Sequence, residues 1–219
     1  MKFVPFKRLA LAIITTTVLS GALTACFPLV VGGVASGAFV ATDRRTSGAQ
    51  LEDEGIELRA TSRIRSNVGE RVHVNLTSYN RQVLLTGEVP NAQDKQLVEQ
   101  IVARVENVNS VVNDLAIMGS STLTQRSSDV LVTGRVKAML VDARDLSSNA
   151  FKVVTERGTT YLMGRVTQRE ADRATDIVRG TPGVQKVIRI FEIISEEELA
   201  RMLPAKSAAP AANSKPAGG

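Results

Sequence analysis

The chain contains one cysteine, Cys26, and one histidine, His73. A thiol–imidazole nucleophile or a Cys/His metal cluster needs more of these groups, or these two brought together. His73 falls in an alternating apolar stretch that reads as a strand, and Cys26 ends an N-terminal leader, so neither chemistry is expected. The carboxylate pairs offer little more. Asp142 and Asp145 bracket Arg144 in an expected loop, and Asp172 and Asp176 stand one helical turn apart. Such pairs are far more often solvated or salt-bridged than general acid–base couples. Gly32, Gly33 and Gly37 lack the strand–loop–helix setting with Lys-Ser/Thr that a phosphate cradle requires. No catalytic residue and no metal site is expected, and the chain reads as a non-enzyme.

Covalent chemistry is expected at Cys26 instead. Lys2, Lys7 and Arg8 precede an apolar run from Leu9 to Leu19, followed by the small residues Ser20, Gly21, Ala22 and Ala25. This is a secretory signal over residues 1–25, too short and wrongly flanked to span a bilayer. The ending Leu23-Thr24-Ala25-Cys26 resembles the bacterial lipobox. That resemblance implies a diacylglyceryl thioether on Cys26, cleavage just before it, and an N-acyl chain on the new amine. No other cofactor is expected. Several acyl chains, each contributing about 0.8 kcal/mol per buried CH₂, anchor far more durably than one. Phe27 follows Cys26 where an Asp would resemble an inner-membrane retention signal in enteric-type bacteria. The expected location is therefore the outer membrane, lipid-anchored and facing the periplasm. With its only thiol consumed, the mature chain has no disulfide and must be held by packed cores.

The formal charge of +5 loses three cations with residues 1–25 and falls to +2. The basic isoelectric point is thus partly a property of the leader, and nucleic acid is not an expected partner. Residues 26–50 read as a tether: an apolar, Gly-rich stretch to Ala41, too short to cross a membrane as a helix, then a polar linker or surface loop over 42–50. At the other end, Ser195 and Glu198 resemble a capping box opening a short helix over 195–203. Residues 204–219 are rich in Ala, Pro, Ser and Gly and are expected to be disordered.

Between these ends the chain repeats itself. Val83–Val89 aligns without a gap with Thr160–Val166, Ile101-Val102 with Ile177-Val178, and Val108/Val111 with Val184/Val187. Upstream, Ile56, Ala60 and Ile64 correspond to Val132, Val136 and Leu140, both triads spaced by four and so on one helical face. Alternating strands follow, with turns at Asn80-Arg81 and Arg157-Gly158. A second helix and a last strand over 111–117 or 187–193 complete each copy. The expected fold is α+β: two tandem αββαβ domains, 51–119 and 127–194, each with two helices on a three-stranded mixed sheet. Gly87 and Gly164 occupy equivalent strand positions where a branched side chain is not expected to fit.

The Leu-x-Gly-x-Val strands and the later Gly183-Val184-Gln185-Lys186-Val187 resemble the BON domain. The leader, lipobox cysteine and paired domains together are similar to the dual-BON-domain outer-membrane lipoproteins. Asn107 departs from the pattern where the second copy has Gly183. Arg189 departs where the first has Asn113, which would make the second copy's last strand the less typical. The resemblance implies a non-catalytic protein that recognises anionic phospholipid, such as phosphatidylglycerol or cardiolipin, through the second domain. It also implies support of outer-membrane integrity and a presence at division sites. Membrane contact in the family involves the first helix of the second domain, with an aromatic near its start. Leu131 stands there in this chain, and Leu131, Arg135 and Lys137 are the expected phospholipid contacts. Charge agrees: residues 51–118 hold seven Lys/Arg against ten Asp/Glu, and residues 127–192 hold eleven against eight. Only the second domain has the sign an anionic surface attracts. An alternative of another class is a periplasmic adaptor that docks an envelope or peptidoglycan-remodelling protein.

Overall fold

Each repeat opens with a long helix because one face of it carries an apolar residue at every turn. In the computed structural model, which describes residues 43–202, α1 spans Ser47–Val68 and buries Ile56, Ala60, Ile64 and Val68. Its counterpart α3, Leu123–Asp142, buries Val132, Val136 and Leu140. Both start at a threonine cap: Thr46 accepts the Ala49 N–H, and Thr122 forms a full capping box with Gln125. The domain starts expected at 51 and 127 therefore fall inside helices. The leader, Cys26, the apolar tether and the tail of 204–219 lie outside the described residues.

In the first domain α1 leads to β1 (His73–Tyr79), β2 (Gln82–Val89), α2 (Ala92–Ala103), β3 (Ser110–Asn113) and β4 (Ala116–Ile117). In the second, α3 leads to β5 (Lys152–Glu156), β6 (Thr159–Val166), α4 (Gln168–Arg179) and β7 (Lys186–Ile193), with α5 (Glu196–Met202) after it. Ser195 caps α5, its Oγ accepting the Glu198 N–H at 3.1 Å. Each hairpin is antiparallel, and the last strand returns parallel to the central one, Val83 beside Val111 and Thr160 beside Val187. The hairpin turns hold φ at 49° and 67° at Asn80 and Arg81, and 49° and 71° at Arg157 and Gly158. Positive φ at both central residues matches the twist of the flanking strands.

The last strands differ between the copies, and the linker departs from expectation. The second copy's last strand is the continuous one, and the first copy's is broken between Asn113 and Ala116. Asn113 causes the break: its Oδ1 takes the Leu115 N–H at 3.2 Å while its amide donates to Lys95 O and Glu99. Arg189, at the equivalent register, has no such acceptor to offer. Residues 43–50 are not a surface loop. Arg44 makes a bidentate pair with Glu170 at 2.7 Å, both nearly inaccessible to solvent, and Arg45 pairs with Asp43 and Asp53 and lies over the Tyr79 ring.

Two cores lie between helices and sheet, one per domain. A third joins the domains: Tyr79 and Leu84 meet Tyr161, Met163 and Ile190 where the helix-free faces of the two sheets press together. The uninterrupted apolar runs of β2 and β6 follow from this, since both of their faces are buried.

Candidate functional site

α3 turns an apolar stripe to solvent. Leu123, Val130, Leu131 and Val141 are between 61% and 79% exposed, opposite the buried triad. Gly134, with open space around it, lies within the stripe. Helical geometry places Lys137 and Arg126 on one flank and Arg135 on the other. Arg126 donates to Ser121 Oγ at 3.0 Å, and Arg135 reaches Pro182 O at 3.4 Å. Lys137 is exposed. Thus Leu131, Arg135 and Lys137 share one outward surface, and sequence reasoning missed the larger part of it. Leu123, Val130 and Val141 recur at helical spacing opposite the triad, a signal available in the sequence. α1 also exposes leucines, Leu51 and Leu58, but among Glu52, Glu54 and Glu57. No described helix is long and apolar enough to cross a membrane.

The three glycines sit at close approaches. A Cβ on Gly87 would collide with the backbone carbonyl of His73, and one on Gly164 with that of Ala150. On Gly183, at φ +97°, it would lie 2.6 Å from Val132 Cγ2. Asn107 adopts φ 66° at the matching place in the first domain, a conformation Asn tolerates better than most residues.

A buried polar framework, unforeseen from the sequence, fixes the parts. Asp53 of α1 accepts hydrogen bonds from Ser78 Oγ and the Asn80 and Arg81 amides, all at 2.7–2.8 Å. Asp129 of α3 does the same for the Arg157 and Gly158 amides at 2.8 and 2.9 Å. Each helix thereby holds its own domain's hairpin turn. Between domains, Glu88 accepts from Arg157 at 3.1 Å, sits 2.8 Å from His73 Nδ1, and takes the Ser121 hydroxyl of the connector at 3.3 Å. Burial pushes the Glu88 carboxyl up, but the bonds from His73, Ser121 and Arg157 outweigh it and hold it below the usual range. For Glu170, too, burial acts upward and the Arg44 guanidinium with the Thr167 amide prevails, again lowering it. Tyr161 donates to Asp114 at 2.6 Å across the seam. Burial first, then that acceptor, raises its phenol well above its ordinary value.

His73 is thus engaged with Glu88, and three of the four aspartates hold arginines. Asp145 pairs with Arg173 at 2.9 Å, Asp172 with Arg189 at 3.0 Å and Asp176 with Arg179 at 3.7 Å. Among the described residues no three His, Cys, Asp or Glu side chains group as metal ligands.

Duplicated αββαβ units of this kind, each with a buried glycine on its central strand facing a backbone carbonyl, define a class. The BON domain matches residues 53–119 and 128–194, and the chain belongs to the BON-domain family. It is 38% identical over 197 residues to the Outer membrane lipoprotein DolP of Haemophilus influenzae, covering 89% of this chain and all of that one. The chain is an outer-membrane lipoprotein. It is also 28% identical to a 21 kDa hemolysin of Actinobacillus pleuropneumoniae, over 69% of this chain and 79% of the relative. A solved C-terminal domain of CdsD, a structural protein of the Type III secretion system of Chlamydia trachomatis, aligns at 14% identity with a TM-score of 0.28. It covers 61% of this chain and 96% of that domain. A likeness that small says nothing of function.

Proposed function

We propose that this chain is a non-catalytic module, anchored by acyl chains on Cys26, whose second domain reads anionic phospholipid and so supports the outer-membrane barrier, including at division sites. One observation carries the lipid reading: the exposed stripe of Leu123, Val130, Leu131 and Val141 lies between cations on α3. Apolar side chains entering the headgroup region gain by burial, while flanking Lys and Arg each gain about 1 kcal/mol near an anionic leaflet. The stems of Lys137 and Arg135 can lie along the apolar surface with their charges at headgroup level. On α1 the exposed leucines lie among glutamates, Glu52 paired with Arg59 at 2.6 Å, so that face lacks the excess of cations that α3 has.

The test is sedimentation of residues 43–203 with vesicles of phosphatidylglycerol or cardiolipin, against vesicles of zwitterionic lipid. The parent should pellet with the anionic vesicles. The double variant Arg135→Glu with Lys137→Glu should lose binding steeply at low salt and little at high salt, where screening has already weakened it, with its circular dichroism unchanged. Undiminished binding by the folded variant would overturn the assignment of the contact to α3, and a parent that pellets with neither kind of vesicle would favour a protein–protein adaptor.

A further inference from the structure

The two domains treat the outer edge of their last strand in opposite ways. In the first domain that edge is short and covered. It stops at Asn113, whose side chain folds back onto Lys95 O and Glu99, and Lys95 Nζ closes on Leu115 O at 2.7 Å. Interruptions and charged side chains of this sort are how proteins blunt a free sheet edge. In the second domain β7 runs unbroken for eight residues, and its only strand neighbour among the described residues is β6. The Lys186 and Ile194 amides bond inward, to Gly158 O and Val166 O. By strand alternation the N–H and C=O groups of Val187, Arg189, Phe191 and Ile193 face outward.

The residue pattern of β7 is complementary to itself. Its odd-numbered side chains point towards α4 and its even-numbered ones towards the seam: Val187 and Phe191 pack on the helix-side core, Ile188 and Ile190 on the core between the sheets. In an antiparallel pair of β7 strands centred on Arg189, Val187 stands opposite Phe191, Ile188 opposite Ile190, and Lys186 opposite Glu192. Each of these pairs forms twice. The outward-facing residues 187, 189 and 191 then meet one another, as hydrogen-bonded pairs require. Sliding one strand by two residues sets Lys186 against Ile190 in one direction and Glu192 against Ile188 in the other. Lys186 is exposed and makes no ion pair among the described residues. Glu192 holds Arg165 at 2.9 Å and accepts from Asn80, yet nearly half of its side chain stays open to solvent. Arg189 meets its own copy across the axis, and Asp172 neutralises each of the two at 3.0 Å. Both faces have room beside this stretch. A cavity of about 340 Å³ lies next to Ile190 and Glu192 on the seam face, and one of about 200 Å³ next to Phe191 and Ile193 on the helix face.

We propose that β7 is the interface of a homodimer, paired edge to edge and antiparallel with a second copy of this chain. Such an interface is isologous and closes on itself. Opposite-charge and apolar cross-strand pairs add to the ladder bonds. Ile188 and Lys186 of the second copy enter the larger cavity, and Val187 the smaller. The contact is small, which makes it transient in solution, and anchors that hold both copies in one bilayer raise their effective concentration. The pairing axis stands normal to the sheet, so both α3 stripes face the same way, within the twist of the joined sheet. Two lipid-reading surfaces then meet one bilayer, a consequence that rests on the lipid reading although the pairing does not.

The test uses the acylated full-length chain in vesicles of phosphatidylcholine, where attraction to anionic lipid plays no part. Introduced cysteines report the register under mild oxidation. Arg189→Cys lies on the axis, with Cα atoms about 5.5 Å apart, and should give disulfide-linked dimer. Lys186→Cys and Glu192→Cys each lie about 20 Å from their own copies and should not link alone, but a mixture of the two should. The parent, whose only cysteine is Cys26, and Ile117→Cys on the first domain's edge set the background. Hydrogen exchange on the parent needs no new cysteine. The outward amides of 187, 189 and 191 should slow about tenfold once about nine-tenths of the chains are paired, while 110–117 should not change. Arg189→Pro removes an outward donor and no bond to β6, and should abolish that protection. Linking at 189 no greater than at 117, or a mixture that links no better than its parts, would overturn the proposal. So would protection of β7 that does not depend on chain density; where it is lost on deleting residues 203–219, it assigns the edge to the chain's own tail.

Discussion

α1 and α3 share a buried face and differ in what they turn outward and in how firmly they are held. Each carries a core triad, a threonine cap and a buried aspartate that grips a hairpin turn. α1 surrounds its exposed leucines with glutamates and locks its aspartate with Arg45; α3 surrounds its own with cations and leaves Asp129 to the turn amides alone. The last strands repeat the contrast, blunted in the first domain and open in the second. Duplication set a common frame, and the solvent-facing residues of that frame diverged. The first domain is the more tied, and the second presents the surfaces.

The largest test asks whether the frame is the same in both copies. Gly87→Val and Gly164→Val should each cost more than about 3 kcal/mol, because each new side chain meets a backbone carbonyl, of His73 in β1 or of Ala150 just before β5, and cannot rotate away. Since the sheets share a core, each variant should lower the melting temperature of the whole chain in one transition. A Gly164→Val protein that melts with the parent would break the equivalence of the repeats.

A smaller effect separates the two aspartates. Asp53→Ala should cost about 3 kcal/mol, leaving Arg45 with a buried face and a lost partner. Asp129→Ala should cost about 2 kcal/mol, for two turn amides alone. Urea denaturation measures both, and equal values would mean that neither Arg45 nor the Ser78 hydroxyl adds to the hold of Asp53.

The smallest concerns the seam. Glu88 and Glu170 are both held below the ordinary carboxylate range in the folded chain. Their contribution is therefore complete above the unfolded value of about 4.3 and is lost as pH falls through the lower folded values. Stability should decline in that acid window, and Glu170→Gln should flatten the decline. A Glu170→Gln protein with the parent's pH profile would show that the Arg44 bridge does not bind one domain to the other.

The helical triads, the hairpin turns and the parallel return of the last strand were legible in the sequence because each rests on local spacing. The joining of the domains was not, although its trace was present. Val83-Leu84-Leu85 and Tyr161-Leu162-Met163 show no alternation, which is the mark of strands buried on both sides. Asp53 and Asp129 lie at matching places in the repeat, but polar residues on a helix read as solvent-facing until the turn amides they serve are known. Arg44 looked like part of a linker because composition cannot reveal that a charge has a partner more than a hundred residues away. On α3, Leu131 was found by its likeness to a family position. Leu123, Val130 and Val141 needed only the helical wheel turned to its other side.

Arg44 belongs by sequence to the first domain and by contact to the second, where it grips Glu170 and the Arg165 carbonyl. A pull arriving along the chain from the N-terminal side therefore meets the second domain at residue 44 before it reaches α1 at residue 47. Two parallel bonds to one carboxylate must break together, as in a lap joint loaded in shear, before the load passes on. Mechanical tension from an anchor would thus be borne first by the domain that carries the outward stripe. Stretched from that end, the protein should give way at the seam between its sheets only after this joint has slipped.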